Sequence, residues 1–533
     1  MVTGKDEQVK SMSGIPLKEI YTPDDVEGID YERDLGYPGE PPYTRGTYKS
    51  MYRGQLWTIR QHGGYNTAED TNKLFLEQYK LGETGFSIAG DISTPVGMDP
   101  DDPRVSADLG HAGTPIYGYE DMERVFKGIQ IEKISTYLSD RVGGILTPSY
   151  FVMAERRGVD VRKVRGTTPN TILTWSSLNL ANQVTPKGYL RLAVDTVEWC
   201  AEHAPNWHPV SLNSYNPRDN AITAVQELGL LMAEAILYLE EGKRRGRVPL
   251  DKLTKRFTFN MAVNNDFFEE IAKLRAARRM YSKIVIDRFG IKDPSCSQFR
   301  VHVQSSGSTA TYREPLNNLI RIAYQVLGGV LGGAQSIHAN GYDEAVCLPT
   351  EQSRLLSIRT EQILALETNV SNVVDPLGGS YYVEWLTNKL EEAAWQYVKE
   401  IEDMGGLLAA IESGWIHKEY KAAMLEHAHK LASGDITVVG VNKFRLEKVP
   451  YKVPIFRFDP KSGDILIERV KKLRRERDSK KVAEAIKNLD KAMRSDENTF
   501  PALLEAVRAQ ATCGEISNVG LDYYGVYRYP MSA

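Results

Sequence analysis

Cysteine is scarce in this chain: four in 533 residues, Cys200, Cys296, Cys347 and Cys513, with no CxxC pair among them. That excludes a disulfide-built scaffold, argues against a zinc site, and suits free thiols in a reducing compartment. Long apolar runs are missing too, so no segment is expected to span a bilayer. The first twelve residues, MVTGKDEQVKSM, lack the apolar core of an export signal, which makes a cytoplasmic protein the expectation. Nor is there a surplus of basic charge. Sixty-six Lys and Arg stand against 70 Asp and Glu, a formal net charge of -4, which leaves no excess of cations for a nucleic-acid backbone.

What remains is an ordinary globular composition, 42% hydrophobic and 26% charged, in a chain long enough for one large barrel with extensions. Its most informative stretch is 299–349. FRVHVQSSGS alternates apolar and polar residues like a strand and ends in small polar residues, and a helix-like run follows from Pro315 through Val330. GGAQSIHANGYDEAVCLP then repeats the arrangement, with Ser336, His338, Asn340, Asp343 and Glu344 crowding a strand end. Strands that finish in polar side chains, separated by amphipathic helices, are the sequence form of a (β/α)8 barrel, an α/β fold whose catalytic mouth lies at the strand C-termini.

Eight strands are expected, beginning at Gly85, Lys133, Val164, Pro209, Lys255, Phe299, Ala334 and Asn372. Asn66 or Thr67 can cap a helix to about Leu81, another is expected over Ala221 to Glu241 with Gly242 as its stop, and Asn265 to Phe268 opens a third. The Pro-, Gly-, Asp- and Tyr-rich beginning shows no periodicity, and beyond Val383 helical patterns dominate. One of these, ERVKKLRRERDSKKVAEAIKNLDKAMRSDE, interleaves both charges and reads as a solvated helix or a face for a partner. The expected division is an N-terminal arm and substrate-contacting segment over 1–65, a TIM barrel over 66–384 and a helical C-terminal extension over 385–533.

Several long motifs carry a resemblance. YTRGTYKSMYRGQLWTIRQHGGYNTAEDTNK, GFSIAGDISTPVGMDPDDPRVSADLG, QSIHANGYDEAVCLPT, DPLGGSYYVEWLT and GVNKF resemble the large subunit of the methylmalonyl-CoA mutase family, from about Gly36 to the C-terminus. The resemblance implies an isomerase: a TIM barrel threaded along its axis by the pantetheine arm of coenzyme A, with adenosylcobalamin across the strand C-termini and a radical 1,2-shift as the reaction. The family's cobalt-ligating Asp-x-His-x-x-Gly motif has no match, since none of the nine histidines has Asp two residues before it. The lower cobalt ligand is therefore expected from a small cobalamin-binding subunit in a heterodimer or heterotetramer, and no metal ligand is assigned to this chain. Carried over by position, the coenzyme A contacts are Tyr48, Met51, Thr58, Arg60, Ser87, Thr167, Arg256 and Thr258. Arginine suits phosphate, and small hydroxyl side chains leave room for a slender amide chain. On the cofactor side the matches are Ala89, Ala112, His302, Gln304, Gly307, Glu344, Ala345, Cys347 and Leu348.

The departures from that pattern fall in the substrate pocket. His62 replaces a tyrosine, Asn216 a histidine after Tyr215, Asn179 a carboxylate-clamping arginine, and Pro169 a glutamine. Gly90 stands for an aromatic, Ser308 for a tryptophan, and Gln55 for a phosphate-binding arginine. His62, Tyr215 and Asn216 are the expected catalytic residues, with Asn216 still able to donate to a thioester oxygen. Large-to-small exchanges at Gly90, Ser308 and His62 point to an acyl group bulkier than methylmalonyl, with benzylmalonyl/phenylsuccinyl as the type. Arg218 or protonated His62 is the expected carboxylate partner, Arg218 having an ordinary pairing with Asp219 as its other reading. Isobutyryl-, hydroxyisobutyryl- or methylmalonyl-CoA mutase activity, or a non-catalytic acyl-CoA-binding scaffold, are the alternatives. A metal-dependent barrel lyase is a weaker one, since His302 and His338 lack carboxylates at ligand spacing.

Overall fold

The computed structural model describes residues 9–140, 143–178 and 180–530. Nine strands, all parallel, form one sheet: β1 (Thr58–Gly63), β2 (Gly85–Ala89), β3 (Ser135–Ser139), β4 (Arg165–Thr167), β5 (Trp207–His208), β6 (Val210–Asn213), β7 (Phe257–Val263), β8 (Val301–Ser305) and β9 (Ser336–His338), in the order β5-β4-β3-β2-β1-β9-β8-β7-β6. The two ends of that order, β5 and β6, are separated by Pro209 alone. Proline has no N–H to give to a ladder, so a single staff of the barrel is broken at that residue. Backbone bonds bridge the break, Thr168 N donating to His208 O at 2.9 Å and Ser211 N to Pro169 O at 2.8 Å. The sheet thus closes on itself as an eight-staved barrel.

The number of staves matches expectation and their membership does not. Thr58–Gly63, expected in the segment before the barrel, is its first strand, pairing with β2 on one side and β9 on the other. Asn372–Pro376 is not a strand but a series of bends and turns. The period is visible in WTIRQH, yet Arg60 and His62 lie on its inner face, where a barrel core usually presents branched apolar side chains.

Local signals place the helices. Thr67 caps Ala68–Leu81 by accepting from Asp70 N, as expected. The helix expected over Ala221 to Glu241 runs Ala224–Arg245, because Thr223 and Gln226 form a reciprocal capping box. Gly242 lies inside it, where a Cβ would stand 2.7 Å from Leu253 Cδ1, and the chain turns out at Gly246 with φ 63°. Asp266 caps Phe267–Lys283. The charged stretch near the C-terminus is two helices, Ser462–Glu476 and Ser479–Arg494, which bury Leu466, Val470, Val482 and Leu489 and send Arg474 to Asp99 at 2.7 Å. Each is an amphipathic helix on the barrel's flank rather than one solvated rod.

A buried charge network braces the barrel behind β6 and β7. Glu227 accepts from Ser214 Oγ at 3.1 Å and from Ala262 N at 3.1 Å, linking the ends of both strands. Lys273 bonds Glu227 at 2.6 Å, Ala262 O at 2.8 Å and Glu270, and Arg218 stands 3.5 Å from Glu227 and 3.2 Å from Glu270. Two carboxylates and two cations share one dry volume, so removal of either cation leaves an uncompensated charge. Lys273→Met should therefore lower stability by about 3–5 kcal/mol, read as a shifted midpoint in chemical denaturation.

Candidate active site

The barrel interior is what sets this fold apart from an ordinary one. Alternation along each strand puts Thr58, Arg60 and His62 of β1 on the inner face, together with Gly85, Ser87 and Ala89 of β2, Ser135 and Tyr137 of β3, and Thr167 of β4. Ser211, Thr258, His302, Gln304, Ser336 and His338 come from the remaining strands. The alternate residues, such as Ile59, Ile88, Leu138, Leu212, Met261, Val303 and Ile337, are buried under the helices. Small and polar side chains cannot fill a barrel axis the way Val, Ile and Leu layers do. Two cavities result.

The inner cavity, about 100 Å3, is lined by Arg60, Tyr137, Thr167, Ser211, Thr258, His302 and Ser336, with Arg300 at its edge. Close approach requires glycine at 85: a Cβ there would stand 2.8 Å from Thr58 Cγ2 and 2.9 Å from Arg60 Nη2. Arg60 donates to Phe86 O at 3.1 Å and to Ser135 Oγ at 3.0 Å, and burial lowers its pKa to about 10. Arg256 sits just before β7, its pKa held down by burial and by neighbouring Arg300. Among the described residues none of Arg60, Arg256 and Arg300 has a carboxylate within 4.0 Å. Three arginines without counter-ions around a narrow pore suit phosphates or other oxyanions.

The outer cavity, about 190 Å3, opens at the strand C-termini and is lined by His62, Ala89, Ala112, Gln304, Glu344 and Leu348 from the expected set. His338, Tyr65, Gly113 and Arg354 line it as well. His62 bonds Ser87 Oγ through Nδ1 at 2.6 Å, and its ring centroid lies 4.8 Å from that of His338, 6.2 Å from His302 and 5.6 Å from Tyr137. Burial, with Arg60 nearby, pulls the His62 pKa down to about 4. The protonated His62 expected as a carboxylate partner is therefore a neutral imidazole at neutral pH. His302 and His338 are pushed further down by burial and by their neighbours, so the cluster carries no charge.

Arg218 does not reach either cavity. It is buried with Glu227 and Glu270, and neither a substrate carboxylate nor Asp219 is its partner. Tyr215 and Glu344 meet over Gly307: the Gly307 N–H donates to Tyr215 Oη at 3.2 Å, and a Cβ on Gly307 would lie 3.4 Å from Glu344 Oε1. Asn216 accepts from Asn213 Nδ2 at 3.2 Å. Gly90 is not part of the outer cavity's lining, and a Cβ there would rest on Thr94 and on Ser139 O, both 3.4 Å away. Ser308 is exposed and bonds Ser306 Oγ at 2.9 Å. Tyr48 lies at the surface, 40% exposed, and Met51 packs against Arg278 in a separate small cavity of about 20 Å3. Cys347 Sγ accepts from Phe456 N at 3.3 Å, tying an extended C-terminal segment to the cavity's rim beside exposed Ala345. Asn179 lies outside the described residues.

Alternation alone could have found Tyr137, two residues from the small inner-face Ser135, and His338 was already among the polar residues expected at a strand end. Arg354 gave no such signal: it reads as one more charge on the helix Glu351–Leu366.

A corrin-sized cofactor at this mouth has small residues to rest on and polar groups to meet. His338 Nδ1 is buried without a hydrogen-bond partner while its ring lines the cavity, so an acceptor or donor from a bound group would satisfy it. Gln304 donates to Asn340 Oδ1 at 2.9 Å, which aims its carbonyl end. These residues fit such a group.

Glu344 has its carboxyl pKa pushed up to about 7 by burial and by the neighbouring Asp219 and Asp343 carboxylates. Its protonated form is the one the folded chain prefers. The stability it supports is present below the ordinary carboxyl pKa and lost as pH rises through about 7. Glu344→Gln should therefore stabilise the chain at pH 8 by about 1–3 kcal/mol relative to the parent and leave it unchanged at pH 4, in paired denaturation curves.

Comparison with known proteins agrees with this geometry. The methylmalonyl-CoA mutase family model matches residues 10–526. The chain is 35% identical to the 2-hydroxyisobutanoyl-CoA mutase large subunit of Aquincola tertiaricarbonis, over 98% of this chain and 93% of that one. It is 36% identical to the methylmalonyl-CoA mutase of Rhizobium meliloti (strain 1021), over 96% of this chain and 72% of the relative. The human mitochondrial methylmalonyl-CoA mutase is 33% identical, over 97% and 68%. With a family model covering nearly its whole length, and an open, polar-lined barrel to match, the chain belongs to the methylmalonyl-CoA mutase family of isomerases.

Proposed function

We propose that this chain is the catalytic large subunit of an adenosylcobalamin-dependent acyl-CoA mutase, which rearranges the carbon skeleton of a branched acyl-CoA thioester bulkier than methylmalonyl-CoA, of the benzylmalonyl/phenylsuccinyl type. The observation that carries it is the pair of cavities stacked along the barrel axis where a packed apolar core would otherwise stand. A pantetheine arm threading the axis would widen the inner one and pass Thr167, Ser211, Thr258 and Ser336 with its amides, with Arg60, Arg256 and Arg300 nearest its phosphates. The acyl group then lies among His62, Gln304 and His338. A cavity of 150 Å3 accommodates benzene, so the outer volume of about 190 Å3 has room for an aryl substituent.

Bound adenosylcobalamin supplies the radical chemistry of a 1,2-shift. The chain's own residues orient and shield. Neutral His62, fixed by Ser87, and Gln304, fixed by Asn340, offer hydrogen bonds without bringing charge into a dry site. Tyr215 stands beside Glu344 over Gly307, and Glu344, protonated as pH falls below about 7, could in that form donate to the cofactor. The relative that this chain nearly matches in length is named a large subunit. That supports a separate small subunit that brings the cobalt ligand, in a heterodimer or heterotetramer, and a cytoplasmic setting is the one that free thiols suit.

The match to 2-hydroxyisobutanoyl-CoA mutase over 98% of the chain favours a second reading, a small branched acyl group without an aryl substituent. Assay of the chain with its small subunit and adenosylcobalamin separates the two. The benzylmalonyl thioester should isomerise with kcat/KM about tenfold or more above methylmalonyl-CoA, and His62→Tyr, which refills the outer cavity, should remove that advantage. Efficient conversion of methylmalonyl-CoA to succinyl-CoA by the parent enzyme would refute the bulky-substrate assignment.

A further inference from the structure

The outer cavity contains a cation with no carboxylate within 4.0 Å among the described residues. Arg354 stands in the first turn of the helix Glu351–Leu366, only 9% exposed, and lines the cavity with His62, Gln304, His338 and Glu344. Its position is fixed from outside. Asp343 accepts from Thr350 N at 3.0 Å and Ser353 Oγ at 2.6 Å, and Thr350 caps the helix through Ser353 N. The guanidinium itself makes one hydrogen bond, from Nη1 to Pro349 O. Among the described residues no carboxylate lies within 4.0 Å of it.

Several other buried arginines differ, although Arg60 in the inner cavity and Arg321, which bonds Thr311, Asn318 and Val439 O, also have no carboxylate within 4.0 Å among the described residues. Arg218 is held by Glu227 and Glu270, Arg275 by Asp375 and Glu384, and Arg279 by Glu391. Arg278 lacks a carboxylate but gives its N–H groups to three backbone carbonyls, those of Tyr43, Thr44 and Gly332. Nε and Nη2 of Arg354 are not among the buried polar atoms without a partner, so they face the cavity with N–H groups free for a bound oxyanion. The rest of the lining cannot take its place as the positive centre: His62 and His338 are neutral, and Tyr65 and Glu344 bring no positive charge.

We propose that Arg354 is the residue that binds the free carboxylate of the substrate's acyl group. This rests on the acyl-CoA reading above and moves the carboxylate partner from Arg218 and His62 to the helix that follows β9, the strand beside His62's own. A guanidinium fork offers two parallel N–H groups to a carboxylate and would equally suit a phosphate of the cofactor, so the test has an arm for each source.

Isothermal titration of the full chain with succinyl-CoA and pentanoyl-CoA, which differ chiefly in the terminal carboxylate, reads the preference without turnover. The parent should bind succinyl-CoA about tenfold more tightly. Arg354→Met should abolish that ratio and leave pentanoyl-CoA affinity within about twofold, and Arg354→Lys should retain part of it. Should Arg354→Met fail to fold, the lysine variant carries the test, with a ratio between parity and the parent's. Equal binding of both thioesters by the parent, or an unchanged ratio in the variants, overturns the assignment while leaving the acyl-CoA reading intact. Binding of neither thioester by the parent brings down the acyl-CoA reading itself. In the second arm, adenosylcobalamin is titrated into the chain mixed with its small subunit. Weaker cofactor binding in Arg354→Met with the thioester ratio unchanged would assign the guanidinium to the cofactor and overturn the proposal.

Discussion

An eight-staved barrel normally fills its axis with branched apolar side chains, and this one does not. Its inner face carries serine, threonine, glycine, histidine and glutamine, and these leave one cavity beside arginines that lack carboxylate partners and a second at the mouth. Everything else in the structure compensates for that missing core. The outward faces of the strands and the helices around them bury the apolar surface that the axis forgoes, with Phe86, Phe259, Leu228 and Met280 among the side chains enclosed there. The stability that a packed interior would supply comes instead from the shell, including the charge network of Glu227, Glu270, Lys273 and Arg218.

Charge is partitioned between shell and bore. Arg218, Arg275, Arg279 and Lys273 in the shell have carboxylate partners and Arg278 bonds three carbonyls, whereas Arg60, Arg256, Arg300 and Arg354, which face or flank the bore, have no carboxylate within 4.0 Å among the described residues. Between them lie three histidines held neutral by burial. The bore thus has cationic points at both ends and an uncharged, hydrogen-bonding middle. That pattern suits a long ligand with anionic ends and a polar neutral arm, and a radical reaction in the middle that charge and water would disturb.

Much of this was legible in the sequence. Alternation in GFSIA, STYLS and VHVQS, each ending in a small residue, identified barrel strands, and Thr67 and Asp266 marked helix starts that the structure retains. What misled was physical. Thr58–Gly63 carries arginine and histidine on its core-facing side and so does not read as a barrel strand, while NVVDP has strand-like residues and forms turns. Arg218 sits in a motif beside Tyr215 and Asn216, but the carboxylates that claim it come from residues 227 and 270, and such long-range pairing leaves no mark on local spacing. Gly90 reads as pocket space and has Thr94 and Ser139 against it. Arg354 shows the converse. Its helix looks ordinary, and only the closure of the barrel brings it to the mouth.

A structure of the chain with its small subunit, adenosylcobalamin and a coenzyme A thioester tests the open axis most directly. The account predicts pantetheine density running through the bore past Thr167, Ser211, Thr258 and Ser336, with the thioester near His62 and Gln304. Coenzyme A bound on the outside of the barrel, with these side chains collapsed across a closed axis, would contradict it.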